Sequence, residues 1–137
     1  TADSEAGVMP PESLLLEMQQ YHEELAKAGV LLGGDGLQAT SKGWRINYDG
    51  KGGSSFTDGP FAEAKELIAG YTLIQVKTRE EAIAWTKRFP NPAMPGKPGE
   101  IEVRQVFELE DFAQGPAIEK FEDMNKRYPE ARIGAAN

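Results

Sequence analysis

The apolar positions of this chain fall in short runs whose period changes several times. Between Pro10 and Gly29, the residues Leu14, Met18, Tyr21, Leu25 and Ala28 recur at the spacing of one helix face. Pro10 and Pro11 preorganise the start, Glu12 puts an acid at the positive end of the helix dipole, and Gly29 serves as a C-terminal cap. A helix is predicted there. The preceding stretch TADSEAGVM is small and polar and is expected to be irregular. Val30, Leu31 and Leu32 are apolar and run into Gly33-Gly34-Asp35-Gly36, which reads as a turn. From Gly43 to Tyr48 the pattern alternates, with Trp44, Ile46 and Tyr48 against Arg45 and Asn47, which is the period of a strand. DGKGG at 49 to 53 is turn chemistry, so Ser54 to Thr57 are expected to return as the hairpin partner.

The stretch FTDGPFAEAKELIAGY, 56 to 71, joins this hairpin to the next apolar run. Asp58, Gly59 and Pro60 form a corner, Phe61 plugs the core, and a short amphipathic turn carries Glu63, Lys65 and Glu66. Tyr71 to Val76 reads as a strand near the middle of a sheet. Thr78 and Glu81 make a capping-box pattern for a second helix, with Ala82, Trp85, Thr86 and Phe89 on one face and Pro90 as its stop. NPAMPGKPG is a loop. Glu100 to Glu108 is predicted as another strand, with Ile101, Val103, Gln105 and Phe107 on one face. A third helix starts at Pro116, carries Ile118, Phe121, Asn125 and Tyr128 as its stripe, and ends before Pro129. The order of elements predicts an α+β layout with helices laid over an antiparallel sheet.

Composition narrows the chemistry. The 137 residues fit a single domain, 1–137, whose C-terminal helix at about 116–128 is an extension. The net charge of −7 is spread along the chain with no basic patch, which argues against nucleic-acid and anionic-membrane partners. The absence of cysteine removes disulfides, thiolate metal sites and a Cys nucleophile, and fits a cytoplasmic protein. With one histidine, His22, a zinc site built on several His or a two-His iron site cannot be made within one chain. There is no GxGxxG, P-loop or GxSxG, and no apolar run long enough to span a bilayer. No metal and no cofactor are expected. A haem reading is weaker, because His22 would have to be its only strong ligand.

Four blocks in order carry a resemblance: AGVLLGGDGLQ (28 to 38), TDGPFAEAKELIAGYTLIQV (57 to 76), EEAIAWTKRFP (80 to 90) and IEVRQVF (101 to 107). Together they resemble the YCII-related family in its DGPF branch, over residues from about 12 to 112. The resemblance implies a ferredoxin-like α+β fold that pairs into a dimeric α/β barrel, and it implies no assigned reaction. It also implies an apolar strand ahead of the first helix, expected upstream of Thr1 in this numbering. Ala64 stands where members often carry Thr, and the histidine of the wider family aligns near Met18, about a turn before His22.

The candidate catalytic residues are Asp58 and His22. Asp58 either bonds backbone amides beyond the corner or faces a pocket as a general base. His22 falls inside the apolar sector of the first helix and is expected to be semi-buried, either as a hydrogen-bonded core residue or as the partner of Asp58. Lys65, Tyr71 and Arg104 are candidate ligand-binding residues, with a solvated face, a core position and a solvent face or dimer contact as their plain alternatives. Phe121, Met124 and Tyr128 need covering, so an isologous homodimer is expected. Two functions fit: a cofactor-independent small-molecule enzyme using acid/base chemistry, and a non-catalytic dimeric ligand-binding or accessory module.

Overall fold

Residues 1–62 and 67–131 are described by the computed structural model; the turn expected at Glu63, Lys65 and Glu66 lies outside them. The chain forms two units, Thr1–Ile101 and Glu102–Asn137.

The first unit opens with a short helix, α1 (Ala2–Glu5), where the polar sequence predicts irregular chain. Local capping explains the difference. Thr1 and Ser4 bond each other's backbone reciprocally, and Asp3 and Glu5 find partners elsewhere in the unit. The next helix, α2 (Glu12–Lys27), follows its predicted bounds, with Glu12 in the first turn, Lys27 in the last, and Gly29 just beyond at φ 72°. Its buried residues are Leu14, Tyr21 and Leu25, while Ala28 is exposed.

Tyr21, Leu25 and Val30 form the core cluster, with Leu31, Ile74, Val76, Trp85 and Phe89 packed against it. Leu25 is the one side chain of this cluster wholly removed from solvent. Burying a leucine contributes about 1.5–3 kcal/mol. Tyr21 gives both ends to the packing: its ring meets Phe89 edge to face at 5.2 Å, and its hydroxyl donates to the Trp85 carbonyl at 3.2 Å. Burial pushes the Tyr21 phenol above its ordinary ionisation range, and the nearby Arg88 opposes this in part.

Strand β1 (Leu31–Gly36) contains the GGDG sequence expected to be a turn. It pairs antiparallel with the strand at Gly70–Ile74, with Leu31 opposite Ile74, Gly34 opposite Thr72 and Asp35 opposite Tyr71, and with a bulge between Leu31 and Gly33. Glycine is a poor strand former on its own, but pairing decides here. A Cβ at Gly34 would come within 2.8 Å of the Tyr71 carbonyl, so glycine lets the two backbones close up.

The hairpin is β2 (Trp44–Tyr48) and β3 (Ser54–Asp58), paired in register with Ile46 opposite Phe56 and Trp44 opposite Asp58. Its turn is held by the Asp49 carboxylate, which accepts the amides of Lys51 and Gly53 at 2.7 and 2.9 Å. These bonds hold the Asp49 carboxyl below the usual range. Trp44, Ile46, Tyr48 and Phe56 share one face of the hairpin and are all exposed. The segment at Gly70–Ile74 is β4. It was expected near the middle of a sheet, but it pairs with β1 alone, and both sheets have two strands among the described residues. Helix α3 (Arg79–Thr86) starts as predicted, with the Thr78 hydroxyl accepting the Glu81 amide at 3.1 Å.

Residues 100–108, expected to form a strand from their alternation, form none, and all nine are exposed. Alternation places side chains on two faces; a strand also needs a neighbouring backbone for its hydrogen bonds, and neither sheet includes this segment. Helix α4 (Pro116–Arg127) starts at its predicted proline and buries Ile118, while Phe121 and Tyr128 are exposed.

Candidate functional site

The corner at 58–61 is built against the turn Thr40–Lys42 that precedes β2. The Gly59 amide donates to the Gly43 carbonyl at 2.9 Å, and a Cβ at Gly59 would fall 1.8 Å from the Thr40 carbonyl oxygen. Only glycine fits there. The Phe61 amide donates to the Thr40 hydroxyl at 3.1 Å, and that hydroxyl in turn donates to the Glu5 carboxylate. The Arg45 guanidinium lies 3.9 Å from the centre of the Phe61 ring. The amide expected to cap onto Asp58 is thus taken by Thr40. Asp58 is exposed at the end of β3, and its carboxylate makes no hydrogen bond or ion pair among the described residues.

His22 is placed differently. It is half-buried on α2, in the sector the helix pattern predicts. Its Nδ1 lies 2.7 Å from the Met18 carbonyl oxygen, and its Nε2 lies 2.9 Å from Thr72 Oγ1 on β4. A carbonyl can only accept, so Nδ1 carries the proton. In the neutral ring Nε2 then holds the lone pair, and the Thr72 hydroxyl donates to it. The partner of His22 in the structure is Thr72; Asp58 lies on the other sheet.

Tyr71 follows Asp35 across the β1–β4 ladder, and its hydroxyl donates to Asp35 Oδ2 at 2.9 Å. This bond, with the carboxylate's charge, raises the Tyr71 ionisation above its ordinary value. Because successive strand residues face opposite ways, Tyr71 and Thr72 lie on opposite faces of the sheet. Lys65 lies outside the described residues. Arg104 belongs to the second unit, where it is exposed and paired with Glu102, which raises its ionisation further.

Open hollows lie on the surface of the described residues. One lies between Glu17, Gln20, Tyr21, Glu24 and Arg88, another at the Asp49 turn, and neither includes His22 or Asp58. Among the described residues no three metal-ligating side chains come together, and no helix is long and apolar enough to cross a membrane.

The model of the YCII-related domain matches residues 1–110 of the 137. The chain belongs to the YCII-related family. Comparison with curated proteins gave no match. In this YCII-related chain the paired residues that sequence reasoning missed are Thr72, Asp35 and Thr40. Thr72 and Asp35 share one cause: GGDG has the composition of a turn, and without it as a strand the ladder that sets Thr72 beside Gly34 and Tyr71 beside Asp35 has no second member.

Proposed function

We propose that this YCII-related chain moves protons to and from a small molecule without a cofactor, with His22 as its acid/base group. The observation that carries this reading is the state of the ring. The Met18 carbonyl fixes the Nδ1–H tautomer, so Nε2 is a lone-pair donor held in a set orientation at the edge of the β1–β4 sheet. Orientation of one ring nitrogen by a bond to the other is how a histidine is prepared for general acid/base work. The same reading makes the chain a DGPF-branch homodimer, its ferredoxin-like units meeting in an α/β barrel. Support for pairing comes from the hairpin, since a two-stranded sheet with an apolar face needs a cover.

Nitrobenzisoxazole tests the acid/base role. A base removes its ring C–H proton, the electron pair forms the nitrile, the N–O bond breaks, and the coloured phenolate departs. Wild-type chain is expected to open the ring at least roughly a hundredfold faster than His22→Gln, the scale of general-base catalysis. Equal rates for the two would overturn the reading. They would favour the second one, a non-catalytic dimeric ligand-binding or accessory module. That reading is supported by the exposed face of Trp44, Ile46 and Phe56 and treats Asp58 as a corner residue.

A further inference from the structure

The lone pair of His22 does not face open solvent. Its Nε2 is occupied by the Thr72 hydroxyl at 2.9 Å, so a proton reaching the imidazole must pass through that hydroxyl or displace it. Displacement is disfavoured by the frame. Thr72 is in β4, fixed in register opposite Gly34, and a β-branched side chain is stiff about its first torsion. Residue 34 is an exposed glycine on the same face of the ladder, and a Cβ there would stand 3.4 Å from Thr72 Oγ1. A side chain at 34 would rest against this oxygen in van der Waals contact, whereas glycine places no side-chain atom there.

We propose that Thr72 is the group that touches the small molecule, and that it relays the proton to His22. This rests on the acid/base reading of His22. The step balances. An acidic X–H of the ligand gives its proton to Thr72 Oγ1 while the hydroxyl's own proton moves to His22 Nε2. The X–H bond breaks, the ligand keeps the electron pair, and imidazolium forms. The return step runs the same path in reverse. The Met18 carbonyl keeps its bond to Nδ1–H throughout, so the ring does not turn over during the transfer. The ligand class that suits such a relay is a small, flat, weak acid able to approach over Gly34. A charged carboxylate has no cation placed for it among the atoms bonded to His22 and Thr72.

The test uses the full chain and the same nitrobenzisoxazole probe. Thr72→Val keeps the branch and removes the hydroxyl; Thr72→Ser keeps the hydroxyl. The His22-dependent rate is expected to fall at least roughly tenfold in Thr72→Val and to be largely retained in Thr72→Ser. Across mixtures of light and heavy water the His22-dependent rate of wild type should fall along a straight line, because the Thr72 hydroxyl proton exchanges with solvent and moves in the step while the probe's C–H proton does not exchange. NMR of the imidazole nitrogens, unambiguous with a single histidine in the chain, should show Nδ1–H retained in Thr72→Val, so that a lost rate is not a displaced ring. A His22-dependent rate that survives Thr72→Val, or one that heavy water leaves unchanged, would overturn the relay and leave His22 acting directly. Equal rates for wild type and His22→Gln would overturn the acid/base reading and the relay with it.

Discussion

At the scale of single residues, polar side chains of the first unit act in linked pairs on the β1–β4 sheet. His22 with Thr72 is one such pair and Tyr71 with Asp35 is another, on opposite faces of the sheet. The second pair has a pH consequence. The ordinary phenol value is 10.0, and the Asp35 bond holds Tyr71 above it. A folded-state value raised above the unfolded one stabilises the fold below the unfolded value, and that contribution is lost as pH climbs through the folded one. Asp35→Asn should therefore move the phenolate absorbance of Tyr71 to lower pH, with Tyr71→Phe identifying its signal. A titration unchanged by Asp35→Asn would show that the pair does not persist in solution. Little of this was legible in the sequence. The position of His22 followed from its helix phase, but its partner did not, because Thr72 lies fifty residues away and meets it only through strand register. Asp58 drew attention through its motif, yet the hydroxyl that serves the corner is supplied by Thr40.

Elements tell a different story from residues. Helices α2, α3 and α4 were legible because the signals that make a helix are local: an N-terminal Pro or Thr, a repeating apolar face, and a Gly or Pro stop. Strands depend on neighbours, and both strand errors have that origin. GGDG has the composition of a turn but is drawn into a ladder by β4, while 101–108 has the alternation of a strand but finds no ladder. The hairpin was legible for the opposite reason, since its partner follows within a few residues. Packing of α2 on the β1–β4 sheet runs through Leu25, which is completely buried in the core cluster. Leu25→Ala is expected to cost about 2–5 kcal/mol, read as a lower denaturation midpoint with unchanged slope. A loss well under about 1 kcal/mol would mean that the cluster can collapse around the missing side chain.

For the molecule as a whole, the balance of covered and uncovered apolar surface is the leading observation. Trp44 is 62% and Phe56 58% exposed, and their rings stack at 6.1 Å on one face of the hairpin. A lone two-stranded sheet is marginal in water, so such a face is stabilised by a cover. The proposed homodimer supplies one. Wild-type chain at micromolar concentration is expected to sediment as a dimer, and the double change Trp44→Lys with Ile46→Lys to shift it toward monomer. A wild-type chain that sediments as a monomer would exclude pairing through this face. Family membership was legible at this scale, from four ordered blocks whose combined pattern outweighs any one of them.

The fit of Gly59 has a consequence for how this chain tolerates change. Its missing Cβ lets the corner lie against the Thr40 carbonyl, and Thr40 is the residue that receives Phe61 and holds Glu5. Any other amino acid at 59 would push on Thr40 and so disturb three segments distant in sequence: the first helix, the turn before β2, and the corner itself. This position admits a single letter. Selection acting only on the integrity of the fold would hold it fixed, whatever the protein's chemistry, so its invariance among relatives would be no sign of catalysis.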